Sequence, residues 1–196
     1  FSLAGLVIIG EIAAPLLVTL IAPGFLESEA FEAAVHLTRI MFPFILLIGI
    51  GALIMGVLNS LGHFTAPAGA PIVLNVFMIG VPVLFHVLFP VFSSPADAFA
   101  WGVILGGLAM VLVQIVPLKK LKVSLGFTTG FLNPRLRQVL RLMGVAAVGA
   151  SVYQLNVFIG TVLASMLSTG SVSYLYYANR IVELPLGLFA FAVSNV

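Results

Sequence analysis

Ser171-Val-Ser-Tyr-Leu-Tyr-Tyr-Ala-Asn-Arg-Ile-Val-Glu-Leu-Pro-Leu-Gly-Leu-Phe-Ala-Phe-Ala-Val193 decides how this chain is built. A helix that crosses a bilayer needs about 20 mostly apolar residues. This run supplies them, yet it carries two charges inside, Arg180 and Glu183. If the helix enters at Ser171, Arg180 lies roughly 14 Å deep at about 1.5 Å per residue, near the midplane of a core about 30 Å thick. A charge at that depth is costly, and normally faces a protein interior or a watery cavity where it marks a pathway or a binding site. The two residues share one helical face, since i,i+3 side chains are neighbours. Tyr176 and Tyr177 lie one turn earlier on the same side, and Pro185 frees the carbonyl of Ile181 between them. A structural ion pair would lock this helix to a neighbour. An anion-recognising Arg180, held by Glu183 until substrate arrives, would use a guanidinium fork that matches phosphate oxygens two at a time. The second reading is favoured.

The rest of the chain has the same character. Of 196 residues, 62% are hydrophobic and 7% charged, with a mean hydropathy of +1.26. Soluble domains carry about 25% charged residues, so an ordinary globular domain is excluded. The apolar runs are continuous, whereas barrel strands alternate apolar and polar over about 10 residues; the expectation is an all-α, polytopic transmembrane helix bundle. There is no Cys, which removes disulfides and thiolate metal sites. The chain begins at Phe1 inside an apolar helix and stops at Val196 while still apolar, without a signal-peptide pattern. It reads as the middle of a longer transporter-like protein.

Apolar stretches and breakers predict six spans, at about 2–22, 38–60, 67–89, 97–118, 139–167 and 171–196, the fifth opening as an amphipathic run from Pro134. Lys119, Lys120, Lys122, Arg135, Arg137 and Arg141, six of the eight basic residues, surround one loop. The positive-inside rule places it in the cytoplasm. The Pro23–Val35 and Pro90–Asp97 loops then fall outside; they hold Glu27, Glu29, Glu32 and Asp97 and no Lys or Arg. Small residues four apart, at Gly10/Ala14, Ala52/Gly56, Gly102/Gly106 and Ala146/Ala150, are places where helices can approach closely. Pro15, Pro43, Pro82 and Pro185 fall inside spans and predict kinks, with each freed carbonyl re-satisfied by a neighbour or by water.

The other polar groups carry weaker signals. Glu11 is mid-span with no basic residue in its own helix, and burial alone would neutralise it. It is either a protonatable coupling site or a protonated carboxyl bonded to a neighbouring helix. Asn59, Asn75, Gln114, Gln154, Asn156 and Asn195 are amides for which interhelical hydrogen bonding is the first expectation. Gln154 and Asn156 are the better cavity candidates, because Ser151 and Tyr153 add polarity nearby. Arg39 is expected to snorkel at the outer interface, and His36, His63 and His86 share no metal-ligand spacing. No catalytic or nucleotide-binding motif occurs, so neither a catalytic residue, a metal nor a cofactor is expected. The basic loop is poor in aromatics and reads as lipid headgroup contact, not as a nucleic-acid site. Nothing in the sequence sets an oligomeric state.

Several stretches together resemble the MurJ/MviN-type lipid II flippases of the MOP exporter superfamily. They are Ala22-Pro-Gly-Phe25, Leu37-Thr-Arg-Ile-Met-Phe-Pro43, Gly56-Val-Leu-Asn59 with Ala66-Pro67 and Ala70-Pro-Ile-Val-Leu-Asn75, Ala100-Trp-Gly-Val-Ile-Leu-Gly-Gly107, Leu140-Arg-Leu-Met-Gly144 and the block from Gly170 to Gly187. The resemblance implies that the six spans are transmembrane helices 3 to 8 of a two-lobed fold. Residues 1–118 would complete the N-lobe, 119–138 would form a cytoplasmic basic loop between lobes, and 139–196 would open the C-lobe. It implies a transporter, not an enzyme, in the bacterial cytoplasmic membrane. Its partners would be membrane lipids and its substrate lipid II or a similar polyprenyl-pyrophosphate lipid, moved outward by alternating access for peptidoglycan synthesis. Arg180 matches an arginine of the family's cationic cavity and Glu183 an acid of the same helix; Asn179, Gln154 and Asn156 complete the candidate substrate-binding set, with Glu11 as a possible coupling residue. Asn179 stands where the family usually has Asp, and Gly160 aligns where some members carry a sodium-site Asp.

Three other classes compete with this reading. A related MOP exporter would move a drug or another polyprenyl-linked sugar. A membrane enzyme acting on a polyprenyl pyrophosphate would need catalytic acids clustered near the cytoplasmic interface, and none cluster here. A non-transporting scaffold would leave Arg180 and Glu183 as packing.

Overall fold

The computed structural model describes residues 2–88, 91–92, 94–123 and 134–194, and among these it is helical with no strand. The helices are α1 (Ser2–Ile12), α2 (Ala14–Ile21), α3 (Glu29–Met41), α4 (Phe44–Ser60), α5 (Thr65–Pro82), α6 (Pro95–Lys120), α7 (Pro134–Ser165) and α8 (Ser171–Ser194). A 3-10 turn at Pro23–Phe25 and a π-helical turn at Val83–Leu88 complete the set. Among the described residues four helical stretches are long and apolar enough to cross a membrane, namely Glu29–Ser60, Thr65–Val87, Pro95–Lys120 and Arg137–Ser165. The bent pair formed by α1 and α2 would make a fifth. The chain is therefore a multi-pass, all-α membrane protein. Residues 124–133 of the basic loop, Phe1, Asn195, Val196 and part of the Pro90–Asp97 break lie outside the described residues.

Two of the predicted spans take a different form. The first is not one helix over 2–22, because α1 and α2 meet at 73°. Pro15 has no N–H for the carbonyl of Glu11 and its ring crowds that carbonyl. Arg39 Nε reaches the same carbonyl at 3.4 Å, which is the re-satisfaction a proline break requires in a bilayer. Arg39 is thus a tie between α3 and α1, with its side chain still exposed. The second span starts at Glu29 instead of 38, so most of the expected Pro23–Val35 loop is a turn followed by α3. Glu29-Ala-Phe-Glu-Ala-Ala are good helix formers with acids at the N-terminal end, where the helix dipole favours them. Pro43 then interrupts the run before α4. At Pro82 the expected kink is a widening into the π-helical turn, while at Pro185 α8 continues.

The chain divides into two compact units, Phe1–Pro15 with Glu32–Phe127 and Leu16–Phe31 with Thr128–Val196. In the first, α6 is the centre. Ser94 caps it, its Oγ accepting from the Ala96 N–H at 3.1 Å, and Pro95 occupies the first turn, where its missing N–H matters least. Asp97 sits near its start and Lys119 and Lys120 at its end, both favourable to the dipole. Gly102 and Gly106 face α5 so closely that a Cβ at Gly106 would lie 3.0 Å from the Leu74 carbonyl and 3.0 Å from Phe77 Cβ. That pair packs as small-xxx-small spacing predicts. Gly56 faces open space and Ala146 and Ala150 are exposed, so those pairs do not. Ile54, Leu58, Val111 and Leu118 form the buried cluster between α4 and α6. His36 Nε2 lies 3.2 Å from Asp97 Oδ1, joining α3 to the first turn of α6.

In the second unit the Pro23–Phe25 turn rests on the end of α7. The Gly24 N–H donates to Ser165 Oγ at 3.2 Å, and a Cβ at Gly24 would collide with the Ser165 carbonyl. Gly170, at φ +95°, turns the chain from α7 into α8, a conformation that favours glycine.

Candidate functional site

The polar residues of α7 and α8 meet in one cleft. On α8, Tyr176, Asn179, Arg180 and Glu183 follow i, i+3, i+4, i+7 spacing and so share a face. On α7, Tyr153, Gln154 and Val157 line the opposite wall. The space between them is about 230 Å³. Pockets that enclose drug-sized ligands run to about 300–1,000 Å³, so this one suits a charged group and not a whole lipid-linked saccharide.

One hydrogen-bonded chain runs through the cleft. Arg180 Nη1 donates to Glu183 Oε2 at 2.7 Å. The Tyr153 hydroxyl donates to Glu183 Oε1 at 2.6 Å and is the bond that crosses from α7 to α8. The Arg180 guanidinium lies 5.0 Å from the centre of the Tyr176 ring, a cation–π distance, and Tyr176 meets Tyr177 edge to face at 5.8 Å. The pair is not sealed: the side chains of Arg180 and Glu183 are 60% and 41% exposed in this chain. A guanidinium that keeps most of its N–H groups open on an accessible wall can receive an anion.

Of the residues singled out in the sequence, Arg180, Glu183, Asn179 and Gln154 come together here. Asn156 is exposed on α7 and does not line the cleft. Glu11 belongs to the other unit, half-buried in α1, and its carboxylate has no ion-pair partner among the described residues. The amides do not behave as expected. Among the described residues Asn59, Asn75, Gln154 and Asn156 are exposed and make no side-chain hydrogen bond, while buried Gln114 donates within its own helix to the Met110 carbonyl at 3.3 Å. No three His, Asp or Glu side chains among the described residues converge as a metal site. The bond from Tyr153 to Glu183 was not evident in the sequence. The α8 stripe could be read from spacing, but which α7 residue faces it depends on the register between two helices.

A model of the family described as lipid II flippase MurJ matches residues 1–196. The chain belongs to that family. A probable lipid II flippase MurJ of Buchnera aphidicola from Acyrthosiphon pisum is 38% identical over 100% of this chain and 38% of its own length. The lipid II flippase MurJ of Burkholderia cenocepacia is 37% identical over 100% of this chain and 38% of its own. A probable lipid II flippase MurJ of Vibrio cholerae is 39% identical over 85% of this chain and 31% of its own. The chain thus spans less than two fifths of the length of these MurJ relatives, and the resemblance carried by its sequence blocks is borne out at the level of family.

Proposed function

We propose that this chain is part of a flippase that carries a lipid-linked, pyrophosphate-bearing cell-wall precursor across the bacterial cytoplasmic membrane, and that Arg180 is a contact for the pyrophosphate. The observation that carries this is the accessible Arg180, held at one point by Glu183 and set in a cleft of otherwise neutral side chains, in a member of the MurJ family. The relatives' names supply lipid II as the substrate. The protein acts as a transporter and not as an enzyme, working by alternating access.

The topology that goes with this function has six spans, with α1 and α2 together as the first and α8 as the last. Both ends and the basic loop are then cytoplasmic, and the bilayer midplane falls near Arg180. Residues 1–118 belong to the N-lobe, 119–138 join the lobes and 139–196 open the C-lobe. Asn179 and Gln154 supply neutral hydrogen bonds beside Arg180, and Glu11 is the candidate coupling residue.

The test is direct. The intact protein in liposomes loaded with lipid II should expose the headgroup to an external probe faster than protein-free liposomes do. Arg180→Ala should insert normally and lose that activity. Arg180→Lys should recover only part of it, because an ammonium lacks the two-point fork. Full activity in Arg180→Ala would remove Arg180 from the substrate path.

A further inference from the structure

Arginine and carboxylate groups prefer to meet at two points, with parallel N–H groups on both oxygens. Arg180 and Glu183 do not. Arg180 Nη1 holds Glu183 Oε2 at 2.7 Å, while Oε1 is taken from the other helix by the Tyr153 hydroxyl at 2.6 Å. A guanidinium has five N–H donors, and among the described residues this one uses a single donor on Glu183. Tyr176, whose ring centre lies 5.0 Å from the guanidinium carbon, flanks Arg180 on its own helix and also interacts with it through its hydroxyl.

We propose that Tyr153 is a positioning residue for anion recognition: by holding Oε1 of Glu183 it keeps the Arg180–Glu183 contact single-pointed and leaves the remaining guanidinium donors to a pyrophosphate. The inference rests on the role given to Arg180 above and deepens it. Without the hydroxyl, Glu183 is free to turn both oxygens onto Arg180. The fork then closes on its own helix, and an arriving anion has to displace two hydrogen bonds where it now displaces at most one. Tyr153 therefore acts through Glu183 and touches no substrate atom in this account. It also limits the cost of a carboxylate placed beside an anion site: tied at both oxygens, Glu183 competes for one guanidinium donor and not for two.

The experiment titrates farnesyl pyrophosphate, a soluble polyprenyl pyrophosphate, into the intact protein in detergent. Tyr153→Phe removes one oxygen and preserves the ring. It should raise the Kd about tenfold, the worth of one charge-assisted hydrogen bond returned to competition. The same change made in a Glu183→Gln background should have no further effect, because no carboxylate remains to close the fork. A tie that merely held α7 to α8 would weaken binding by the same factor in both backgrounds, and that result overturns the proposal, as does an unchanged Kd in Tyr153→Phe alone. Arg180→Ala separates this from the broader reading. If it binds the probe as well as the parent, the role of Arg180 falls and Tyr153 falls with it. If it loses binding while Tyr153→Phe keeps it, only the Tyr153 inference fails.

Discussion

At the scale of single residues, the charges of α8 show how position changes meaning. Arg180 and Glu183 were legible in the sequence as a pair, since three residues of helix bring them to one face. Their exposure was not legible. Depth in an apolar run suggests a buried pair, whose separation leaves a charge without compensation. In this chain the side chains are 60% and 41% exposed along an open cleft, and where that cleft is the aqueous path proposed above, such a pair contributes little to stability. Glu183→Gln should therefore leave the thermal midpoint within about 2 °C of the parent. It should also tighten binding of the anionic lipid and slow its release, because the carboxylate that competes for Arg180 is gone. Thermal unfolding in detergent beside a binding titration checks both. A large drop in midpoint with unchanged affinity would make the pair structural. Arg39 teaches a complementary lesson: its place at the start of a span was legible, whereas its contact with the Glu11 carbonyl, which Pro15 leaves without its helical donor, needed the structure.

Among the helices, those whose boundaries carry a local signal were easiest to read. The expected start of α7 at Pro134 and the α7–α8 break at Ser168–Ser171 agree with the structure, because Pro at a first turn and Gly170 at positive φ are local signals. The bend between α1 and α2 was read only as a kink, and α3 was read partly as a loop because its Glu29 and Glu32 lower local hydropathy without lowering helix propensity. Small-residue spacing needed the structure to sort it. Gly106 lies against the α5 backbone, whereas nothing comes within 4 Å of a Cβ added at Gly56. Gly106→Val should thus overpack the α5–α6 contact at a cost of about 1–3 kcal/mol, seen as a lower midpoint in detergent. Gly56→Val should shift it far less. Equal shifts would mean that the two glycines act through helix propensity alone and that close packing is not the reason for Gly106.

For the whole molecule, composition settled the class at once: with 7% charged residues the chain has too little polar surface to fold in water. The division into two units and the cleft of the second were not available from composition, because both depend on which helices pack together. The central claim is that the α7–α8 cleft faces an aqueous substrate path and not the lipid. This chain contributes no native thiol, and any cysteine elsewhere in the intact protein is first replaced by serine. Single cysteines at Thr128, Ser28 and Ser94 calibrate the sides: a membrane-impermeant thiol reagent should reach the first only from the cytoplasm and the other two only from outside. The deciding measurement is the rate at which that reagent labels Gln154→Cys in the intact protein, with and without lipid II. The account predicts labelling from the aqueous phase that lipid II suppresses. A Gln154→Cys that stays unreactive while Thr128→Cys labels, or one whose labelling ignores lipid II, would contradict it.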